Sequence, residues 1–203
     1  MARILPVDPE HGTEEQKRAL RGLTELWGQP WRVAQTIANS SNMITAFQGL
    51  WTQLQESSLS PDDREVIALY LARSNGCHYC VPAHTKICRD ENMPEDDIVA
   101  ILEDREPTDE RRCLILGALR AIQATKGGLS DAQFNKFIKA GLSPENLIDI
   151  IGEIAHCTIT NYTNRLAQTE PDDFLKAVPP ATTPKGMDEP EIKKYPLRPP
   201  KVG

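Results

Sequence analysis

The chain has 203 residues, with 23 Lys or Arg against 29 Asp or Glu and a formal charge of −6. Together with a mean hydropathy of −0.44, this describes one domain with a sizeable core, and no basic run offsets the acidity to favour nucleic acid or an anionic membrane as partner. Five cysteines, an odd number, do not make a secreted disulfide framework, and the start Met-Ala-Arg-Ile-Leu-Pro lacks the apolar region of a secretory signal. The expected compartment is therefore the cytoplasm, where a CxxC is more often catalytic or metal-binding than structural.

Helix-start signals recur along the chain, while strand alternation and hairpin turns are nearly absent. Thr13 with Gln16 forms a capping box before a helix over 17–27. Residues 31–39 and 43–55 carry apolar side chains at mixed three- and four-residue spacing. Ser60-Pro61-Asp62-Asp63 then supplies an N-cap, a proline at the first helical position and two acids favoured by the helix dipole. That helix is expected to reach Arg73 and break at Asn75-Gly76. The next is expected over 77–91, with Pro82 tolerable only in its first turn.

Further helices are predicted at 94–103, 109–125, 131–140 and 144–168, with Gly127-Gly128 and Gly141 as stops. The stretch from Cys113 to Ile122 is apolar nearly all round and is placed centrally in the core. The fold class is all-α: one helical domain over 1–175. Leu59-Ser60-Pro61 and Leu142-Ser143-Pro144 echo one another, but the second copy lacks cysteines. Prolines at 179, 180, 184, 190, 196, 199 and 200 forbid regular helix in the segment 176–203, which reads as an extended or disordered tail. Tyr195, Leu197 and Val202 give such an arm something to bury.

The chemistry gathers in Asn75-Gly76-Cys77-His78-Tyr79-Cys80-Val81-Pro82-Ala83-His84, with Glu65 twelve residues before the first cysteine. If helices 61–73 and 77–91 form an antiparallel hairpin turning near residue 75, Glu65 and His84 lie almost equally far from the turn and alongside one another. Cys80 and His84 are four apart on one helical face, and Cys77 and Cys80 three apart, so all four line one groove. A free thiol, with a pKa of ~8.5, is mostly protonated at neutral pH. A helix N-terminus, a neighbouring thiol and a protonated His84 would each favour the thiolate, and Glu65 would orient the imidazole or take its proton. Oxidation of one cysteine to a sulfenic acid, resolved by the other, would close a disulfide.

A metal site is the chemical rival, because Cys77, Cys80, His84 and Cys88 read as C-x2-C-x3-H-x3-C. Zinc needs its ligands about 2.0–2.3 Å away. On one helix Cys77 and Cys88 are separated by eleven steps of ~1.5 Å, too far for four ligands to converge. No metal is expected, and c-type haem is excluded because Val81 follows the second cysteine. Cys88, Cys113 and Cys157 read as small buried apolar side chains. His156 reads as structural, His11 as exposed, and Trp27, Trp31 and Trp51 as core or interface.

The pattern E-x11-C-x2-C-x3-H, carried by Glu65, Cys77, Cys80 and His84, resembles the AhpD-like alkylhydroperoxidase branch of the carboxymuconolactone decarboxylase family. The resemblance covers about residues 40–125. It implies an AhpD-like helical bundle that assembles as a homo-oligomer, a trimer or hexamer. It also implies an antioxidant peroxidase reducing small hydroperoxides without a cofactor, reopened by a dithiol or a thioredoxin- or lipoyl-type protein. In that reading Cys80 forms the sulfenic acid, Cys77 is its proton donor and resolving partner, and Glu65 and His84 are the proton relay. Chain position alone favours Cys77 as the attacking thiol. Peroxidases of this kind carry a histidine directly before the second cysteine, whereas this chain has Tyr79 there and His78 one place earlier. Tyr79 is read either as offering a hydroxyl to the substrate or as packing at a subunit contact. Two alternatives stand beside this reading: a decarboxylase-type lyase acting on a lactone acid, whose relatives generally lack the cysteine pair, and a non-catalytic metal-binding or redox-sensing module.

Overall fold

Ten α-helices and no strand make up the described residues, 2–179 and 181 of a computed structural model. They are α1 (Glu14–Trp27), α2 (Arg32–Ile37), α3 (Ser41–Gln55), α4 (Pro61–Ser74), α5 (Cys80–Asp90), α6 (Glu95–Leu102), α7 (Glu110–Thr125), α8 (Asp131–Lys139), α9 (Pro144–Ala167) and α10 (Asp173–Lys176). No helix among them is long and apolar enough to cross a membrane. Most of the proline-rich tail, residue 180 and residues 182–203, lies outside the described residues.

Side-chain capping sets most of the starts. Thr13, Ser60, Ser130 and Ser143 each accept from the backbone N–H three residues on, and the side chain at that third position returns the bond. At α4 the returning side chain is Asp63, which also holds Arg111 of α7 at 2.8 Å. Its neighbour Arg112 pairs with Asp62 at 2.8 Å and with the fully buried Asp97 of α6 at 2.8 Å. The N-terminus of α4 is thus clamped from two sides, which fixes the register of Glu65 one turn further on.

α4 packs on α5, α7 and α9 and separates two apolar cores. One gathers Val66, Ile67, Leu69, Ile98, Ile115 and Leu119 between α4, α6, α7 and α9. The other gathers Leu20, Leu23, Ile37, Ile44 and Phe47 from α1–α3, together with Cys77, Tyr79 and Cys80. α3 and α9 approach closely at Gly152, where an added Cβ would come within 2.9 Å of Leu54 Cδ2.

The structure departs from the sequence reading in four places. α5 begins at Cys80 rather than 77, which puts Pro82 third in the helix, where its missing N–H breaks no intrahelical bond. The apolar stretch in α7 is buried at Ile115, Leu116, Ala118, Leu119 and Ile122, whereas Cys113 is only half-buried and its thiol donates to Pro107 O at 3.0 Å. The short α10 has too few residues for periodicity to reveal it. Cys77 is fully buried and does not border the groove shared by Glu65, Cys80 and His84.

Candidate active site

The turn that presents the cysteines is a Schellman motif. Gly76 adopts the left-handed conformation at φ 62°, its N–H reaches Arg73 O at 3.0 Å, and the N–H of Cys77 reaches Ala72 O at 2.9 Å. Cys77 therefore closes α4 with its backbone. The Cys77 carbonyl then receives the N–H groups of Cys80 at 3.1 Å and Val81 at 3.0 Å, which starts α5. The two cysteines, 5.2 Å apart at Cα, are joined in a disulfide. The N–H of Cys80 also donates to Cys77 Sγ at 3.1 Å, so the sulfur pair sits at the positive end of a helix.

Glu65 and His84 meet across the α4–α5 hairpin, with His84 Nδ1 2.9 Å from Glu65 Oε2. Each side chain is under a fifth exposed, at 17% and 18%. With Nδ1–H donating to the carboxylate, Nε2 is the ring atom left to exchange a proton. Cys80, His84 and Glu65 all border one cleft of about 450 Å³ enclosed by α1, α3, α4, α5 and α9.

One wall of the cleft is aromatic. Trp27 makes edge-on contacts with Trp31, Phe47 and Trp51 at ring separations of 6.3, 6.0 and 5.9 Å. Trp27 and Trp31 pack against the second core, and all three tryptophans line the space that Cys80 borders.

The opposite wall is a polar stripe on α9, formed by Glu153, His156, Thr160 and Asn164. Asn164, fully buried, donates from Nδ2 to Cys80 Sγ at 3.4 Å. Arg64 Nε donates to Glu153, and His156 Nδ1 lies 3.5 Å from the same carboxylate. Burial would raise the Glu153 carboxyl, but the hydrogen bond and charge of His156 and the charge of Arg64 hold it below the ordinary 4.5. His156 also stacks on the buried Phe47 at 5.1 Å, a structural contact, and borders the cleft as well. The spacing i, i+3, i+7, i+11 of four polar residues on one helix face was the available signal for this wall.

Tyr79 is almost fully buried at 1% exposure. Its hydroxyl donates to Asp172 and accepts the N–H of Val33 at 3.4 Å. Burial and the Asp172 carboxylate both push its phenol up. The hydroxyl that sequence reading offered to a substrate is therefore spent on tying α5 to the segment after α9. His78 joins the same seam, with Nε2 2.9 Å from Thr169 O.

Of the remaining thiols Cys88 and Cys157 are buried and Cys113 is half-buried, and all three are held protonated. Burial pushes both Cys88 and Cys157 up, and Glu65 adds to each. Among the described residues, Glu153, His156 and Cys157 bring their ligand atoms within 4.8 Å of one another. The Arg64 guanidinium already neutralises Glu153 there, and a cation would have to share its place. The C-x2-C-x3-H-x3-C reading has no geometry behind it, since Cys77 and Cys80 bond each other and Cys88 lies in the core between α4, α6 and α7.

Comparison with known proteins assigns this architecture. Residues 41–110, from the start of α3 to the first residue of α7, match the carboxymuconolactone decarboxylase family. Over that segment the chain is similar to this family. A structure described as the alkylhydroperoxidase AhpD core of a peroxidase-related protein from Ralstonia eutropha JMP134 superposes with a TM-score of 0.73 at 20% identity, covering 91% of this chain and 98% of that one. A peroxidase-related protein from Silicibacter sp. TM1040 gives 0.69 at 20% identity, covering 81% and 88%. The debrominase Bmp8 gives 0.66 at 18% identity, covering 86% and 95%. At these identities the likeness is one of fold, and the fold is AhpD-like. None of the curated proteins compared matches the chain.

The matched segment contains Glu65, Cys77, Cys80 and His84, whereas Trp27, Trp31, His156 and Asn164 lie outside it. In this chain the segment similar to that family supplies the sulfur pair, and α1, α2 and α9 supply much of the wall around it.

Proposed function

We propose that this protein is a thiol-dependent peroxidase that reduces small organic hydroperoxides through the Cys77–Cys80 pair. The observation that carries the reading is the disulfide whose Cys80 half borders a cleft shared with the hydrogen-bonded Glu65–His84 pair. In the reduced enzyme, His84 takes the Cys80 proton while Glu65 holds the imidazole. The Cys80 thiolate attacks the outer oxygen of ROOH, the O–O bond breaks, and the leaving alkoxide takes a proton to give ROH. Cys80 is then a sulfenic acid. The Cys77 thiolate attacks its sulfur, the S–O bond breaks, water leaves, and the disulfide forms. Two electrons from an external dithiol, small or of thioredoxin or lipoyl type, restore both thiols. The chemistry suits a reducing compartment such as the cytoplasm.

The helix geometry supports this division of labour. Cys80 borders the cleft and is backed by an N–H donor from Asn164, whereas Cys77 is buried beneath it. A lactone decarboxylase needs no sulfur pair in its cleft, and a metal module has no converging ligand set at the cysteines.

The test is sulfenic acid trapping after one equivalent of cumene hydroperoxide. Cys77→Ser accumulates a dimedone adduct at Cys80, and Cys80→Ser accumulates none at Cys77. Adduct at neither cysteine would remove the peroxidase reading.

A further inference from the structure

Among the described residues four buried side-chain atoms have no hydrogen-bond partner, Trp31 Nε1, Ser57 Oγ, His156 Nε2 and Asn164 Oδ1, and three of them belong to residues that line the cleft. Proteins pair buried polar atoms almost without exception, so three orphans in one space call for a common cause. Their chemistry is complementary. His156 Nδ1 lies 3.5 Å from the Glu153 carboxylate, and in the tautomer that donates to it Nε2 keeps a lone pair. Asn164 commits its N–H to Cys80 and leaves its oxygen open. Trp31 offers an indole N–H. In that tautomer the residues lining the cleft carry two uncommitted acceptors and one donor.

The other surface is aromatic and apolar. All three tryptophans of the chain line this cleft, together with Phe47 against His156. Edge and face of such rings favour another π-system over an aliphatic chain of equal size. At about 450 Å³ the space suits a compact ligand of one or two rings.

We infer that the cleft binds a flat aromatic molecule carrying a ring O–H or N–H, which donates to His156 Nε2 while the ring lies against the tryptophan wall. This rests on the peroxidase reading only in taking the bound molecule to be what Cys80 reacts with. The aromatic ring is then the organic part of the hydroperoxide, and the α9 wall sets which ring is accepted.

The experiment uses the full chain in its disulfide form, where no turnover occurs. 4-Ethylphenol and its methyl ether, 4-ethylanisole, are titrated while tryptophan fluorescence is read at the red edge of indole absorption. Wild type is expected to show saturable quenching by the phenol, at least about tenfold tighter than by the ether. His156→Phe, which keeps a ring against Phe47, should bring the two within about twofold. Equal affinities in wild type, or no saturation with either compound, overturn the inference, and that comparison needs no variant. A folded His156→Phe that keeps the preference overturns the role of His156. Binding with the expected preference but without peroxide turnover supports the subsite and sinks the peroxidase reading; turnover without binding does the reverse.

Discussion

Asn164 Nδ2 sits 3.4 Å from Cys80 Sγ, a hydrogen-bond donor delivered from the last turns of α9 to a sulfur at the first residue of α5. The two residues are 84 apart in sequence and meet only because α9 runs the length of the fold. On the peroxidase reading this N–H faces a thiolate in the reduced protein, where a donor to a charged acceptor is worth more than one to a neutral thiol.

Removing that donor should therefore slow Cys80 chemistry without disturbing the scaffold. Asn164→Leu is expected to lower alkylation of Cys80 by iodoacetamide about tenfold at neutral pH, with the reactivity midpoint shifted to higher pH. An unchanged midpoint would show that Asn164 only fills space.

On the proposed mechanism Glu65 acts through His84. Glu65→Gln keeps the shape and a weaker hydrogen bond but loses the charge opposite the imidazole. Peroxide-driven disulfide formation should fall by about 10²-fold, within the range for general acid–base assistance, while the melting temperature moves by only a few degrees. Stopped-flow tryptophan fluorescence across pH 5–9 gives the rate. An identical profile in the variant takes Glu65 out of the mechanism.

Much of this was legible in the residues. The Ser60-Pro61-Asp62-Asp63 start, the Asn75-Gly76 break and the opposed Glu65 and His84 follow from helix geometry, since local capping and register decide them. The α9 wall was harder to see, because His156 sits in an apolar helix and nothing local tells whether it faces core or cleft. That depends on α3 closing against Gly152 and placing Phe47 beneath the imidazole. Sequence alone leaves Tyr79 open between two readings for a related reason. Its partner Asp172 is 93 residues away, and no periodicity links them.

Tyr79→Phe should accordingly weaken the fold and leave the chemistry largely intact. Asp172, only 8% exposed, loses a buried donor and keeps the backbone N–H of Arg32 at 3.3 Å. A destabilisation of about 1–3 kcal/mol in urea unfolding is expected. A large loss of peroxide turnover at unchanged stability would return Tyr79 to the active site.

Acid should unfold the protein through two buried carboxylates. Burial raises both, but His156 and Arg64 at Glu153, and Thr108 and Arg112 at Asp97, hold them net below the ordinary 4.5 and 3.8. A carboxyl lowered in the folded state adds stability in full above its unfolded value and loses it as pH falls through the folded value. Stability should thus be flat above about pH 5 and decline progressively below pH 4. Asp97→Asn should be less stable at pH 7 and show a shallower acid limb. Equal slopes in the two proteins would exclude Asp97 from the transition.

The most direct test is a single turnover. Fully reduced protein is mixed with one equivalent of cumene hydroperoxide, quenched by alkylation at intervals, and weighed intact, with free cysteine as reference. Cys77 and Cys80 should become protected together, far faster than free cysteine reacts, and cumyl alcohol should appear in equal amount. Thiols that stay alkylatable, or that oxidise no faster than free cysteine, would contradict a peroxidase built on this pair.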